Sequence, residues 1–139
     1  MAESTQKKLQ CVIVTPETTV LDQAVDFVAI PLYDGELGVL PGRSPVVARL
    51  GYGELRATTG NTTSRYFIDG GFLQVRGDVV SVLTSRAVPA ERIDPAAARA
   101  ELQKANEHVP TTPDGFGAKI ISLSRARGQL EVARRAGKS

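Results

Sequence analysis

The sequence predicts a β + α protein in two parts, an N-terminal antiparallel β-sandwich or flattened barrel over residues 1–88 and a C-terminal antiparallel two-helix hairpin over residues 89–139. Three observations carry this reading. From Leu9 to Leu83, eight or nine short apolar runs are separated by Gly, Pro, Asn and Asp turn residues at close spacing. No stretch of helical period interrupts them. At Pro89 the pattern changes: Ile93-Asp94-Pro95 offers a capping Asp with Pro at the first helical position, and five Ala residues fall within the next ten.

Leu9 to Val14 reads as the first strand, ended by a turn at Thr15-Pro16-Glu17-Thr18-Thr19. A short run, Thr19 to Leu21, precedes a richer one from Ala24 to Leu32 in which only Asp26 marks a wet edge. The chain then enters the segment around which the rest is organised, Tyr33 to Pro45, where five Gly and Pro residues punctuate thirteen positions. Gly35, Gly38 and Gly42 can take backbone angles closed to other residues, while Pro41 and Pro45 fix theirs. That rigidity is expected to lift Asp34 and Glu36 onto an exposed tip, with Leu37 taking the buried role. Pro45 to Leu50, Tyr52 to Ala57, Arg65 to Ile68, Phe72 to Arg76 and Val79 to Leu83 follow as strands. The last two face each other across Gly77-Asp78, a hairpin signal in the weaker residue order.

In the first helix Ala98, Leu102, Ala105 and Val109 fall on one stripe, and Pro110 to Gly115 stops it. A second helix from about Gly117 to Arg135 carries Phe116, Ile120, Leu123, Ala126, Leu130 and Ala133 toward the first. These stripes are narrow and rich in Ala, and Gly128 interrupts the second helix. The hairpin is therefore expected to be marginal and a candidate moving part.

A chain of 139 residues holds one compact body and an appendage. No apolar run approaches the roughly 18 residues that cross a bilayer, and the polar start from Met1 to Lys8 has no targeting pattern, so a cytoplasmic protein is expected. The lone Cys11 is a buried filler. The net charge of +2 hides a split. From Gly115 onward six bases face only Glu131, an excess of five positive charges, which leaves the first 114 residues at minus three. Such asymmetry bears on partners.

Local motifs exclude more than they offer. Gly137-Lys138-Ser139 has the end of a phosphate loop without its first glycine, and Gly51-Tyr52-Gly53 reads as a turn. Asn61-Thr62-Thr63 fits a glycosylation sequon, which carries no weight without secretion. His108 has no partner at metal-ligand spacing and is read as a solvated helix-end residue. No nucleophile stands with its base, so neither an enzyme nor a metal or cofactor is expected.

Three blocks carry a resemblance beyond composition: Gly35-Glu36-Leu37-Gly38-Val39-Leu40-Pro41-Gly42, Gly70-Gly71-Phe72-Leu73-Gln74-Val75, and Val79 to Thr84 with Ala87, followed by the Ile93-Asp94 helix start. Over residues 9 to 136 the chain resembles the epsilon subunit of bacterial-type rotary ATP synthases. The resemblance implies a sandwich of about ten strands, a helical hairpin, and a non-catalytic place in the central stalk. There the sandwich sits between the gamma subunit and the membrane ring of c subunits, peripheral to the cytoplasmic face of the inner (plasma) membrane, with membrane contact only through the complex. It implies that Glu36, with Asp34 and Arg43 nearby, faces the ring. It also implies that basic residues of the second helix, here Arg125, Arg127, Arg134 and Arg135, meet an acidic segment of the beta subunits and inhibit ATP hydrolysis. Three positions depart from the family: Arg43 stands where His is common, and Ala97 and Gln129 stand where ATP-binding members carry Arg. Ile93, Asp94 and Arg125 match that nucleotide pattern, but ATP is expected to bind weakly or not at all.

Arg127 and Arg134 project from nearly the same side, with Arg135 adjacent, and the basic row is expected to be left largely unpaired within its helix. Two other readings stand beside this one. The hairpin could be a fixed brace on the same rotor subunit, or the protein a nucleic-acid-binding β-barrel with a basic tail. The second fails on Tyr33, Tyr52, Tyr66, Phe67 and Phe72, too few and scattered to stack bases, and on the acidic body.

Overall fold

Alternation decides the first strand: in β1 (Leu9–Val14) the side chains of Leu9, Cys11 and Ile13 are buried while Gln10 faces out. The computed structural model describes residues 7–137, so most of the polar start, and Lys138 with the phosphate-loop-like tail, lie outside the described residues. β1 pairs antiparallel with β2 (Thr19–Val25) and parallel with β7 (Val79–Leu83), the one parallel pairing among the described strands. The Thr15-Pro16 turn forms as expected, with the Thr15 N–H donating to the Thr18 carbonyl at 2.9 Å.

The expected strand from Ala24 to Leu32 divides at Asp26 into the end of β2 and β3 (Phe27–Leu32). Asp26 steps out because its carboxylate accepts the Gly60 N–H at 2.7 Å and pairs with Lys8. Those bonds, led by the one from Gly60, hold its pKa below the usual value. β3 then pairs with β4 (Gly35–Val39) around a two-residue turn, Tyr33-Asp34.

Four expected short strands are two long ones. β5 (Val46–Thr59) and β6 (Thr62–Arg76) run 14 and 15 residues and pair along nearly their whole length. Gly51-Tyr52-Gly53 is therefore strand and not turn. The glycines mark where this long ribbon bends from one layer into the other, since a Cβ on Gly51 would stand 2.5 Å from the Leu32 carbonyl oxygen. Gly71, at φ +111°, would put one 2.0 Å from the Leu83 carbonyl oxygen. Beyond the bend, β6 pairs with β7 on one layer, while its first half pairs with β8 (Ala87–Pro89) on the other. The strand order is β2-β1-β7-β6-β5-β3-β4, with β8 beside β6. Among the described residues eight strands thus form the sandwich, against about ten in the resemblance, because two are double-length. Gly77 and Asp78 both take left-handed backbone angles, φ 58° and 62°, which fits the tight turn expected there. The core between the layers is aliphatic, with Ile13, Val28, Ile30, Leu55, Ile68, Leu73 and Val82 fully buried.

After a single 3₁₀ turn at Ala90–Arg92 come α1 (Pro95–Glu107) and α2 (Pro113–Arg135). Asp94 caps α1 by accepting the Ala96 N–H at 3.0 Å. α2 begins four residues before the expected Gly117, because Thr112-Pro113 repeats the cap-and-proline signature and the Thr112 hydroxyl accepts the Gly115 N–H at 3.0 Å. The expected stripes hold for part of their length. Ala98, Ala105, Ala126 and Ala133 are buried, whereas Phe116 and Ile120 are 57% and 63% exposed and Val109 projects into solvent. α2 is longer than α1, 23 residues against 13, and its C-terminal half packs on the sandwich.

Candidate functional site

Helix α2 meets the sandwich over β5 and β6, and small residues make the approach close. A Cβ on Gly128 would stand 2.7 Å from the Tyr52 carbonyl oxygen and 2.9 Å from the Phe67 ring. Val132 and Ala133 close over the buried Phe67 together with Ala90 and Ile93, with Tyr52 and Val88 at the margin. The glycine that looks like a weakness in the sequence is the contact point.

Two buried carboxylates flank this contact. Asp69, 8% exposed at its side chain, accepts from Arg125 Nε through both oxygens at 2.9 and 3.0 Å, and Arg86 Nε lies 3.9 Å away. The Arg125 guanidinium also lies over the Tyr52 ring, 5.9 Å from its centroid. Glu54, 4% exposed, accepts from Arg65 at 2.8 Å, Arg135 at 3.0 Å and Arg56 at 3.1 Å. Burial alone would raise the Glu54 pKa and is the largest single influence, but the three guanidiniums together outweigh it and hold the carboxyl below its usual value. Arg125 and Arg135 thus fasten α2 to the sandwich at two points.

The basic row is consequently not left free, which corrects the expectation drawn from the sequence. Arg134 and Arg135 both pair with Glu131, Arg135 at 3.0 Å. Arg127 is exposed and has no carboxylate partner among the described residues. Glu54 and Asp69 were invisible to sequence reasoning, since they lie 81 and 56 residues from the arginines they bind. Gly128 was the one available signal, because a glycine inside a helix often marks a close approach.

The residues matched to a nucleotide pattern have other work. Ile93 is buried against Phe67, Asp94 caps α1, and Arg125 is held by Asp69. A cavity of about 580 Å³ lies beside Arg125, lined by Asp69, Arg86, Ala97, Glu101, Arg125 and Gln129 among others, with neither Ile93 nor Asp94 in its lining. Two carboxylates balance the two guanidiniums, and both guanidiniums already address Asp69. This lining does not fit a polyphosphate.

At the sandwich edge, Glu36 is the second residue of β4, exposed, and accepts from Arg56 at 3.3 Å. Asp34 sits in the adjoining turn, and Leu37 packs against the core. Arg43 does not join them. It follows the corner at the opposite end of β4, roughly 13 Å along at about 3.3 Å per residue. That corner is tied to the β6–β7 turn by the Gly42 N–H donating to Asp78 at 2.8 Å.

A folded ribbon closed into a sandwich, with a two-helix hairpin fastened on its outer face, defines the class of the protein. The family model described as "ATP synthase, Delta/Epsilon chain, beta-sandwich domain" matches residues 8–90, the whole sandwich. The ATP synthase epsilon chain of Rhodopirellula baltica is 50% identical over 126 residues, covering 91% of this chain and 98% of that one. That of Carboxydothermus hydrogenoformans is 40% identical over 102 residues, covering 73% and 76%. Among solved structures, a chain of the Euglena gracilis mitochondrial ATP synthase (OSCP/F1/c-ring) superposes with a TM-score of 0.81 at 27% identity, covering 91% of this chain and 81% of that one. A chain of the Tetrahymena thermophila mitochondrial enzyme (central stalk/c-ring) shares the fold, with a TM-score of 0.69 at 16% identity, covering 94% and 99%. The chain belongs to the ATP synthase epsilon chains.

Proposed function

We propose that this chain is a non-catalytic subunit of the central stalk of a proton- or ion-driven ATP synthase, joining gamma to the membrane ring and restraining ATP hydrolysis through its hairpin. Residues 1–88 and 89–139 act as two units, peripheral to the cytoplasmic face of the membrane through the complex. The observation that carries the inhibitory part is the manner of docking. α2 presses on the sandwich with Ala and Gly and is fastened by two arginine–carboxylate contacts, a seat that a competing acidic surface on the beta subunits can empty.

The seat for gamma is the outer face of the layer made by β5, β6 and β7, where Val47, Phe72, Val79 and Leu83 are exposed. The ring side is the β3–β4 end bearing Asp34 and Glu36, and Arg43 contributes at the separate corner. No regulatory ATP is required, and calorimetry on the isolated subunit is expected to give no micromolar ATP affinity.

The test is a chain ended after Val88. It is expected to stay folded and copurify with gamma while the assembled enzyme hydrolyses ATP faster. A second reading, the hairpin as a fixed brace, is favoured by the tight fit at Gly128. Under it, hydrolysis is unchanged in that variant.

A further inference from the structure

We propose that Lys119 is a latch at the turn of the hairpin: its ammonium, carried by α2, caps the C-terminus of α1 and holds the first half of α2 against α1, separately from the contacts that α2 makes with the sandwich. It does so in the isolated chain, whether or not the hairpin restrains ATP hydrolysis.

An α-helix leaves its last carbonyls without partners, and their dipoles attract a cation. At the end of α1 that cation comes from the neighbouring helix. Lys119 Nζ donates to the His108 carbonyl at 2.8 Å and to the Asn106 carbonyl at 3.2 Å. Among the described residues these are the only side-chain hydrogen bonds between α2 and the end of α1.

Apolar packing contributes little at this end. α2 has no buried residue before Ala126, and Phe116, Ile120 and Ile121 on its first three turns are exposed. A groove of about 350 Å³ runs between the helices, lined by Lys104, Ala105, His108, Gly115, Ala118 and Lys119 among others. A gap of that size withholds dispersion contacts from its walls, so the directed tie from Lys119 carries the hold. From Ala126 onward the surroundings differ, because Val132 and Ala133 pack on the buried Phe67 and Gly128 abuts the Tyr52 backbone. α2 therefore divides near Arg125 into a half tied to α1 and a half seated on the sandwich, and the two open separately.

The test is amide hydrogen exchange on the full-length isolated chain. Lys119→Met keeps the length and nearly the helix propensity of Lys while removing the donors. It is expected to speed exchange about tenfold at residues 105–108 and 116–121, and to change residues 128–135 by less than about twofold. Lys119→Arg keeps charge and donors and is expected to retain most of the protection. Lys104 also stands in the last turn of α1, where it makes no such bond. Lys104→Met removes an equal charge near the same helix end and is expected to alter exchange by less than about twofold. A nitroxide on Gln103→Cys reads the same opening through weaker broadening of amides 116–121 in Lys119→Met, with Cys11 buried and unlabelled. Unchanged exchange in Lys119→Met overturns the latch, and so does exchange in Lys119→Arg as fast as in Lys119→Met. An equal effect from Lys104→Met overturns it as well, since charge near the helix end, and not the tie, would then be responsible. Faster exchange of residues 128–135 in step with the turn makes the hairpin one opening unit and overturns the division of α2. None of these outcomes touches the inhibitory reading, which the chain ended after Val88 decides without bearing on Lys119.

Discussion

The sandwich and the hairpin are held by different physics. Between the sandwich layers, branched aliphatic side chains such as Ile13, Val28, Leu55 and Leu73 are fully buried, and each contributes about 1.5–3 kcal/mol by leaving water. The buried residues of α1 are only Ala98 and Ala105, and those of α2 are Ala126, Gly128, Val132 and Ala133. What the hairpin lacks in apolar area it replaces with directed contacts from Arg125 and Arg135. An apolar core is non-directional and is not weakened by ionic screening, whereas an arginine–carboxylate seat depends on charge and on pH. The two regions are therefore separable by conditions, and that separation suits a body that stays and an arm that moves.

The largest expected effect breaks the sandwich side. Leu55→Ala removes a fully buried side chain, and the cost is expected to be about 2–5 kcal/mol in urea unfolding followed by circular dichroism. Cys11 reports the same event. Burial pushes its thiol up to about 12, so alkylation at neutral pH is expected to be slow in the parent and to accelerate in step with the lost stability. The corresponding truncation in the hairpin, Leu102→Ala, removes a half-buried side chain and is expected to leave Cys11 protected.

Next comes Gly128→Ala, in which helix propensity and packing oppose each other. Alanine favours an isolated helix by about 1 kcal/mol, yet its Cβ would meet the Tyr52 backbone at 2.7 Å, which cannot move aside as a flexible side chain can. The docked state loses and the freed helix gains, so hydrogen exchange across α2 is expected to increase while Leu55 and its neighbours stay protected. Equal or slower exchange would make α2 a brace that tolerates the methyl.

These same residues show how much the sequence could say. Strand patterning, the Gly77-Asp78 turn and the Asp94-Pro95 cap were legible because each is local, decided within four or five residues. The long strands were not, because Gly51, Gly53, Gly70 and Gly71 have the composition of turns. Only the close approach of Leu32 and Leu83 reveals them as bends within continuous pairing. Thr112-Pro113 was legible in principle, but its proline was read as a stop. Arg125 and Arg135 were identified as singular residues, whereas the carboxylates they pair with in the fold were not. An ion pair across 56 or 81 residues leaves no periodicity or spacing to find.

Acid sharpens the comparison more mildly. The folded Glu54 pKa is depressed below 4.5, so its contribution to stability is fully present above the ordinary carboxylate value and is lost as pH falls through the depressed one. Apolar burial has no such dependence. Below pH 4.5, α2 exchange, corrected for the intrinsic pH dependence of exchange, is expected to rise before the sandwich core opens. Glu54→Gln is expected to remove most of that early rise. A single transition in which core and α2 open together at the same pH would mean that the two regions are not separable.

The smallest effect on the fold, and the most specific, is expected from Glu36→Lys. Glu36 lies on the edge strand β4, half exposed, and shares the Arg56 guanidinium with Glu54: the same Nη1 atom donates to Glu36 at 3.3 Å and to Glu54 at 3.1 Å. Through Glu54 that guanidinium adjoins Arg135, so an unbroken line of charges runs from the sandwich edge to the hairpin. Reversing Glu36 removes one exposed pair, worth about 0–1 kcal/mol, and leaves Arg56 to Glu54 alone. The unfolding midpoint is expected to be nearly unchanged, and so is α2 exchange, because Glu54 retains all three arginines. Coupled ATP synthesis by the assembled enzyme is expected to fall, since a reversed rim charge misregisters an interface without unfolding either side. An unfolded variant would make Glu36 a structural residue. A folded variant with faster α2 exchange would mean that the line of charges transmits to the hairpin, and the separation between body and arm would be weaker than their packing suggests.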